Sequence, residues 1–554
     1  MNLFVKDSEK YCYVRDTSRT KVLFVYIFGI LSWLLVLWGF SGAIIYVDIY
    51  RYLVGPLLLV MTIYHFISFG INLFFKQLDL KKHLELVNDI VPGWKQVANQ
   101  PSVDIFLPIC GENIEVLKNT WEHVAKLDYK NFKVFVLDDS KINTSEHQSL
   151  AKSFDFTYIE RPNKGEMKKA GNLKYAYGQT DGEYIVIFDA DFAPHRDFLN
   201  ETLPYLIKDQ KIGILQTPQF FDTTEEMHKR SLIEYGASYV QEDFYRVIQV
   251  ARDRLGGTLC CGSNAVYRRS ALDMIGGTVQ IEHSEDAHTG FNLAAIGWKI
   301  KFLPVVLAKG LCPDDLHNYF HQQHRWCSGS MSLMLTKKFW DSNLSFKQKL
   351  CYVSGFLYYL HHPVGLLLSF QLFISIYLFN DNINLVNAWP FYPFLIFSFV
   401  VLPWFRLPKY KLGSLLASFT QLYAYSHAVF TGLIGKNVGW IPTNAKVKGV
   451  STAFNQTTVF IGVYTFFYLV FVAIAVRLDG LHLFDYNYYS IQFWIFWNLF
   501  FSFLLLYKML EVIFQAEIRS LETNPTLAHK ISVSAKLYLP YILVYLLTLL
   551  IIGL

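Results

Sequence analysis

The sequence predicts a mostly parallel α/β domain set into an α-helical transmembrane bundle that also carries interfacial helices. Three observations lead there. Long apolar stretches occupy both ends of the 554-residue chain, charged residues gather between them, and in that middle part short apolar runs alternate with helix-like segments. Hydrophobic residues make up 53% of the chain and charged ones 17%, with a mean hydropathy of +0.25. That is too apolar for a soluble enzyme and too charged in the middle for a bare helix bundle. A formal net charge of +5 is small for this length and argues against a nucleic-acid partner.

Residues 1–21 are polar, and residues 22–47 are apolar for long enough to cross a bilayer. No small-residue cleavage site follows and a second apolar stretch, 52–75, comes at once, so the first is not a removable signal peptide. Two crossings return the chain to the side of its N-terminus, and the Lys and Arg residues flanking both place that side in the cytosol. The first 77 residues thus form the entry segment and its two spans.

Residues 78–343 are the one large polar section, of ordinary single-domain size. Strand-like runs recur at 103–107, 132–137, 156–159, 184–188, 212–215 and 300–303. No GxGxxG follows the first of them, which disfavours a dinucleotide site. From 344 to 554 the chain turns apolar again, with spans expected at 351–379, 389–405, 457–476, 491–514 and 533–554. The stretch 412–435 is long enough to cross but contains Ser414, Ser418, Thr420, Gln421, Ser426 and His427. Laid in the interface it keeps Arg406, Lys409 and Lys411 on the same side as Lys436, Lys446 and Lys448, so an interfacial helix is expected, followed by a cytosolic loop over 436–456. No acid or base lies near the middle of a span, which weighs against an ion-coupled transporter. The seven cysteines form no CxxC or CxxH pair and read as reduced, small apolar residues.

The run 184–188 leads straight into Asp189-Ala190-Asp191. Open parallel sheets bind ligands beyond the carboxyl ends of their strands, and two hard oxygen ligands there suit Mg²⁺ or Mn²⁺ carrying a phosphate. Acids after a strand also form turns, which is the plainer alternative. The run 132–137 ends likewise in Asp138 and Asp139, placed to hold a nucleotide from the other side or to cap a loop. Lys169, in Lys168-Lys169-Ala170-Gly171-Asn172, reads as a diphosphate clamp or as a solvated basic patch. In His283-Ser284-Glu285-Asp286, Asp286 is the candidate base for taking a proton from a hydroxyl, with Glu285 and His288 beside it; acids at a helix start would look the same. Gln322, Arg325 and Trp326 share one face of a helix, where Arg neutralises a departing diphosphate and Trp offers a flat surface to a sugar ring. A Trp/Arg membrane anchor is the alternative there. Aromatic residues, 17% of the chain, suit both an interfacial belt and sugar stacking.

Asp138/Asp139, Lys169-Ala170-Gly171-Asn172-Leu173, Asp189-Ala190-Asp191, Cys261-Gly262-Ser263-Asn264, Ser284-Glu285-Asp286 and Gln322-x-x-Arg325-Trp326 occur in the order seen in processive family 2 glycosyltransferases. The region 103–343 resembles most the cellulose synthase-like branch, whereas the later region matches it in layout alone. The resemblance implies a GT-A-like domain, inverting transfer from a UDP-sugar donor, and a growing polysaccharide acceptor threaded through the enzyme's own channel across the lipid bilayer. It implies that Asp138, Asp139 and Asp189 hold UDP, that Asp191 holds the metal, and that Lys169 holds the diphosphate. Asp286 would then be the base, Arg325 would support leaving UDP, and Gln322 and Trp326 would hold the acceptor end. Glu112, after Pro108-Ile109-Cys110-Gly111, matches the family's first acidic position, although the usual Tyr-Asn is missing. Two departures stand out. A span, in place of a cyclic-di-GMP-binding domain, is expected at the C-terminus, so no attached domain of that kind is expected. Trp440-Ile441-Pro442-Thr443-Asn444 stands where the gating loop's Phe-x-Val-Thr belongs, which leaves β-1,3 and mixed β-1,3/β-1,4 products open beside a cellulose-like β-1,4 one.

Overall fold

The structure, a computed structural model, describes residues 3–95, 97–141, 143–221, 231–379, 386–406, 412–434, 450–478 and 489–523. Its middle part is built on a seven-stranded sheet in the order β3-β2-β1-β4-β8-β6-β9. The strands are β1 (Val103–Ile109), β2 (Phe132–Asp138), β3 (Thr157–Glu160), β4 (Tyr184–Ile187), β6 (Ile212–Gln216), β8 (Ala265–Arg268) and β9 (Lys299–Phe302). All neighbours pair in parallel except β8, which runs antiparallel between β4 and β6. A small second sheet joins β5 (Ala193–Pro194), β10 (Ala308–Gly310) and β7 (Phe220–Phe221).

Alternation along the strands explains why this sheet is buried on both sides. Ile105, Leu107, Val134, Val136, Tyr184 and Val186 point to one core, packed with Leu117, Trp121 and Phe198 from the helices Ile114–Val124 and Phe198–Lys208. Phe106, Phe135, Leu137, Ile185 and Ile187 point to the other, against Leu173 of Lys168–Tyr177 and Phe291 of Glu285–Ala295. Each strand-like run of the sequence is present as a strand. Strand β8 is the addition: Ala-Val-Tyr-Arg is short, ends in a charge and passes at once into the helix Arg269–Asp273, so its periodicity is too brief to register.

Five described helices are long and apolar enough to cross a membrane: Arg19–Tyr46, Tyr50–Asn72, Phe346–Phe379, Thr452–Ile474 and Gln492–Ala516. The expected span at 389–405 takes a composite form, a 3₁₀ turn (Trp389–Phe391), an α turn (Tyr392–Ile396), a π turn (Phe397–Val401) and a last α turn (Leu402–Arg406). Pro390, Pro393 and Pro403 each lack an N–H for the regular ladder, which breaks it into pieces. The expected span at 533–554 and the loop around Trp440–Asn444 lie outside the described residues. Leu412–Leu433 is a helix whose polar side chains face protein: Gln421 donates to Gln323 Oε1 at 3.1 Å, and His427 Nδ1 meets His324 Nε2 at 3.1 Å. It crosses Leu232–Val240 backbone against backbone, since a Cβ at Gly236 would fall 2.0 Å from the Gly413 carbonyl oxygen.

One buried carboxylate mounts the sheet domain on the first two long helices. Glu201, on Phe198–Lys208, accepts from Lys10 Nζ, from the Tyr11 hydroxyl at 2.8 Å and from His83 Nε2. Lys10 and Tyr11 precede the hairpin Arg19–Asn72, and His83, on Leu80–Ile90, follows it. The side chains of Lys10 and Glu201 are 10% and 5% exposed, and Lys10 also reaches Asp197 Oδ2 at 2.7 Å. Glu201→Ala leaves Lys10 with Asp197 alone and takes the acceptor from Tyr11 and His83, and is expected to cost about 1–3 kcal/mol, read as a lowered thermal-unfolding midpoint of the purified chain in detergent.

Candidate active site

The carboxyl ends of β1, β2 and β4 lie side by side, with Ile109 opposite Asp138 and Phe106 opposite Ile187. Asp139, Asp189 and Asp191 follow directly on this edge, and Glu285 and Asp286 line the same cavity as they do. Successive residues of a strand face opposite ways, and the Asp138–Asp139 pair shows the result. Asp138 is fully buried, accepting from Ser140 N at 2.7 Å, His147 Nδ1 at 3.0 Å and the Tyr158 hydroxyl at 2.6 Å. It is not among the residues lining the cavity described below, and its hydrogen bonds brace the loop that follows. Asp139 does line the cavity, clamped by Arg161 through Nε and an Nη nitrogen, both at 2.7 Å, and by Gly165 N at 3.1 Å.

Beyond β4, the Asp189 backbone N–H donates to Ser263 Oγ at 2.9 Å, which fixes where the acidic turn starts. Lys169, in the first turn of Lys168–Tyr177, places its ammonium on Asp189 and 3.9 Å from Glu285. Burial works against that charge, but the two carboxylates more than offset it and hold Lys169 above its ordinary value. Asp191 is pushed up to about 7 by burial and by the neighbouring Asp189 charge. A buried carboxyl raised by a second carboxylate beside it fits a divalent cation, whose remaining positions would be filled by ligand oxygens. Among the described residues no cluster of three or more His, Cys, Asp and Glu side chains forms a complete metal cage. Burial likewise raises Glu112, whose Oε2 accepts from the Cys110 backbone N–H at 2.5 Å.

Glu285 and Asp286 open the helix Glu285–Ala295 after Ser284, which adopts a left-handed φ of 55°. Two glycines make room for this turn. A Cβ at Gly262 would lie 2.8 Å from Asp286 Oδ2, and one at Gly329 would lie 1.9 Å from Ser284 Oγ. Gly329 belongs to Leu316–Met334, the same helix that carries Gln322, Arg325 and Trp326, so the acid-bearing turn is seated on the helix with the Gln-Arg-Trp face. Burial, then the Glu285 charge, pushes Asp286 up to about 7. Burial lowers Arg325 to about 10, with the Glu285 and Asp189 charges opposing it.

Glu112, Asp139, Lys169, Asp189, Asp191, Glu285, Asp286, Gln322, Arg325 and Trp326 all line one cavity of about 1500 Å³. The same cavity continues between the long apolar helices, where Trp33, Tyr64, Phe69, Tyr358 and Phe397 form its walls. Sequence reasoning passed over Arg161, Ser263, Gly262 and Gly329. Ser263 and Gly262 stand in a motif that was recognised without a role, whereas the partners of Arg161 and Gly329 come from distant segments that no local pattern connects.

Residues 104–276 match the glycosyl transferase family 2 profile. Cellulose synthase 1 of Komagataeibacter xylinus is 30% identical over 344 residues, covering 62% of this chain and 22% of the relative. The UDP-forming cellulose synthase catalytic subunit of Pseudomonas fluorescens (strain SBW25) is 34% identical over 275 residues, covering 49% and 37% respectively. The chain thus spans well under half the length of these curated relatives. A solved mannosyltransferase from Pyrobaculum calidifontis, in complex with GDP-Man and Mn²⁺, aligns at 19% identity and a TM-score of 0.48 over 69% of this chain and all of its own.

Gly329→Ala drives a methyl group into the Ser284 turn and is expected to destabilise the protein by about 1–3 kcal/mol. Gly70→Ala, where a Cβ meets nothing within 4 Å, is the matched control and leaves the unfolding midpoint unchanged or slightly raised.

Proposed function

We propose that this chain, whose residues 104–276 match the glycosyl transferase family 2 profile and which is similar to bacterial cellulose synthases, is a membrane-embedded, processive, inverting enzyme of the cellulose synthase-like branch that polymerises glucose from UDP-glucose into a β-glucan. The observation that carries this reading is the single cavity joining the carboxylate cluster to the aromatic walls between the long helices. A non-processive transferase has no need of such an exit. The product would leave along that path, away from a cytosolic active site, with Leu412–Leu433 lying in the cytosolic interface.

In this mechanism the donor's nucleotide lies toward Asp139 and Glu112, and its diphosphate toward Lys169 and Arg325. Mg²⁺ or Mn²⁺ held by Asp189 and Asp191 would supply the charge that a diphosphate needs. The acceptor's terminal sugar rests on Trp326 with Gln322 at its edge, which presents a hydroxyl to Asp286. Asp286 takes that proton as the acceptor oxygen bonds to the sugar's anomeric carbon and the bond to UDP breaks on the opposite face. Arg325 and Lys169 face the charge that leaves. Glu285, next to Lys169, keeps the ammonium in place between the steps.

Asp286→Asn is expected to lower turnover by about 10²- to 10⁴-fold with UDP binding retained, measured by radiolabel incorporation beside calorimetric UDP titration. Only the deprotonated carboxyl accepts a proton, so turnover should fall as pH drops below the Asp286 value of about 7, by about tenfold per unit at the acid end. Feeding membranes UDP-glucose and UDP-N-acetylglucosamine in parallel tests the donor; polymer from the second alone would replace glucan with a chitin-like or hyaluronan-like product. Digestion of the product with a β-1,3/1,4-specific glucanase and, separately, a cellulase reads the linkage.

A further inference from the structure

Arg252, near the end of the short helix Gln249–Arg254, lines the cavity on the side of the long helices. It is 6% exposed. Other arginines of this region are matched. Arg161 is forked on Asp139, Arg269 reaches Asp104 at 2.9 Å, and Arg246 lies 3.3 Å from Asp243, which Arg406 also contacts at 2.5 Å. Arg252 makes no ion pair and no side-chain hydrogen bond among the described residues. Its Nε is enclosed without an acceptor, and its guanidinium has as company the Phe244 ring at 5.8 Å. The titratable groups around it are Cys351, Tyr359, Cys261 and Tyr352, all neutral at pH 7, and burial lowers its proton affinity. Gly355 opens the space beside it, since a Cβ there would lie 3.3 Å from an Nη nitrogen. The Tyr352 hydroxyl, on the same cavity wall, is buried and has no partner either.

A guanidinium carries five donors and a charge, and taking it out of water without an anion costs several kcal/mol. Two unspent donor groups on a cavity wall, one of them charged, describe a receptor for an oxyanion. We propose that Arg252 and the Tyr352 hydroxyl form an oxyanion subsite in the cavity wall, apart from the carboxylate cluster, which takes a phosphate or carboxylate. The group comes from an anionic lipid headgroup entering between the helices or from a carboxylate borne by the sugar chain. The second source rests on the sugar-path reading above and on a product containing uronate, which a plain glucan lacks; the first rests on neither.

The full chain in zwitterionic-lipid nanodiscs, its Arg252→Gln variant and its Arg252→Lys variant are compared by thermal unfolding, with UDP-glucose turnover and UDP affinity recorded alongside. The probes are cellotriose oxidised to a terminal uronate against neutral cellotriose, and phosphatidylglycerol-doped against undoped nanodiscs. An anionic probe should raise the wild-type midpoint by several degrees over its neutral counterpart, Arg252→Gln should abolish the difference, and Arg252→Lys should keep part of it. The probe that acts identifies the source. In the absence of probes Arg252→Gln should be at least as stable as the wild type, because an uncompensated buried charge has gone. Equal midpoints with anionic and neutral probes, an undiminished difference in Arg252→Gln, or weaker UDP binding in that variant would each overturn the proposal. No turnover of UDP-glucose by the wild type, beside an anion effect that Arg252→Gln abolishes, would strike the glucan reading and leave the subsite standing.

Discussion

A cluster of acids at the head of a sheet repels itself, and in this protein a single ammonium group holds it together. Lys169 sits on Asp189 and within reach of Glu285, linking the turn after β4 to the helix that begins at Glu285. Without it, Asp189, Asp191, Glu285 and Asp286 would share one partly enclosed space with less positive charge to balance them, Arg325 among what remains. Burial and the neighbouring carboxylates push Asp191 and Asp286 towards neutrality, and Lys169 opposes that push while resting on Asp189 itself.

The rest of the architecture serves to keep this arrangement in place. Ser263 pins the Asp189 turn, Gly262 leaves room for the Asp286 carboxyl, and Gly329 seats the Ser284 turn on the helix that presents Gln322, Arg325 and Trp326. Each of these is a contact of a few ångströms between segments far apart in the chain. At Gly329 an added methyl group would also meet the Ser284 Cβ at 2.4 Å, which no side-chain rotation relieves.

Much of the plan was legible in the sequence, because it rests on local patterns. The strands 132–137 and 184–188 are apolar and run into acids, and those acids do lie at their carboxyl ends. What failed to show was anything set by pairing across the fold. Asp138 reads like Asp139, yet strand alternation turns one inwards to His147 and Tyr158 and the other towards the cavity. Strand β8 is too short for periodicity to speak, and its antiparallel place between β4 and β6 depends on partners about 50 to 80 residues away. The helix Leu412–Leu433 has the length of a crossing segment, but its glutamine and histidine find protein partners on Leu316–Met334, which no hydropathy average reveals.

Glu201 collects a lysine from ahead of the first long hairpin and a histidine from behind it. Both legs of the hairpin are thereby bolted to one rigid helix of the sheet domain. If sugar is pushed through the cavity one unit at a time, each thrust on the strand of product has an equal recoil on the machinery beneath. A mount with two feet on a single footing resists tilting as well as lifting, so the recoil is borne by the body of the enzyme and does not tip the reacting ends out of line.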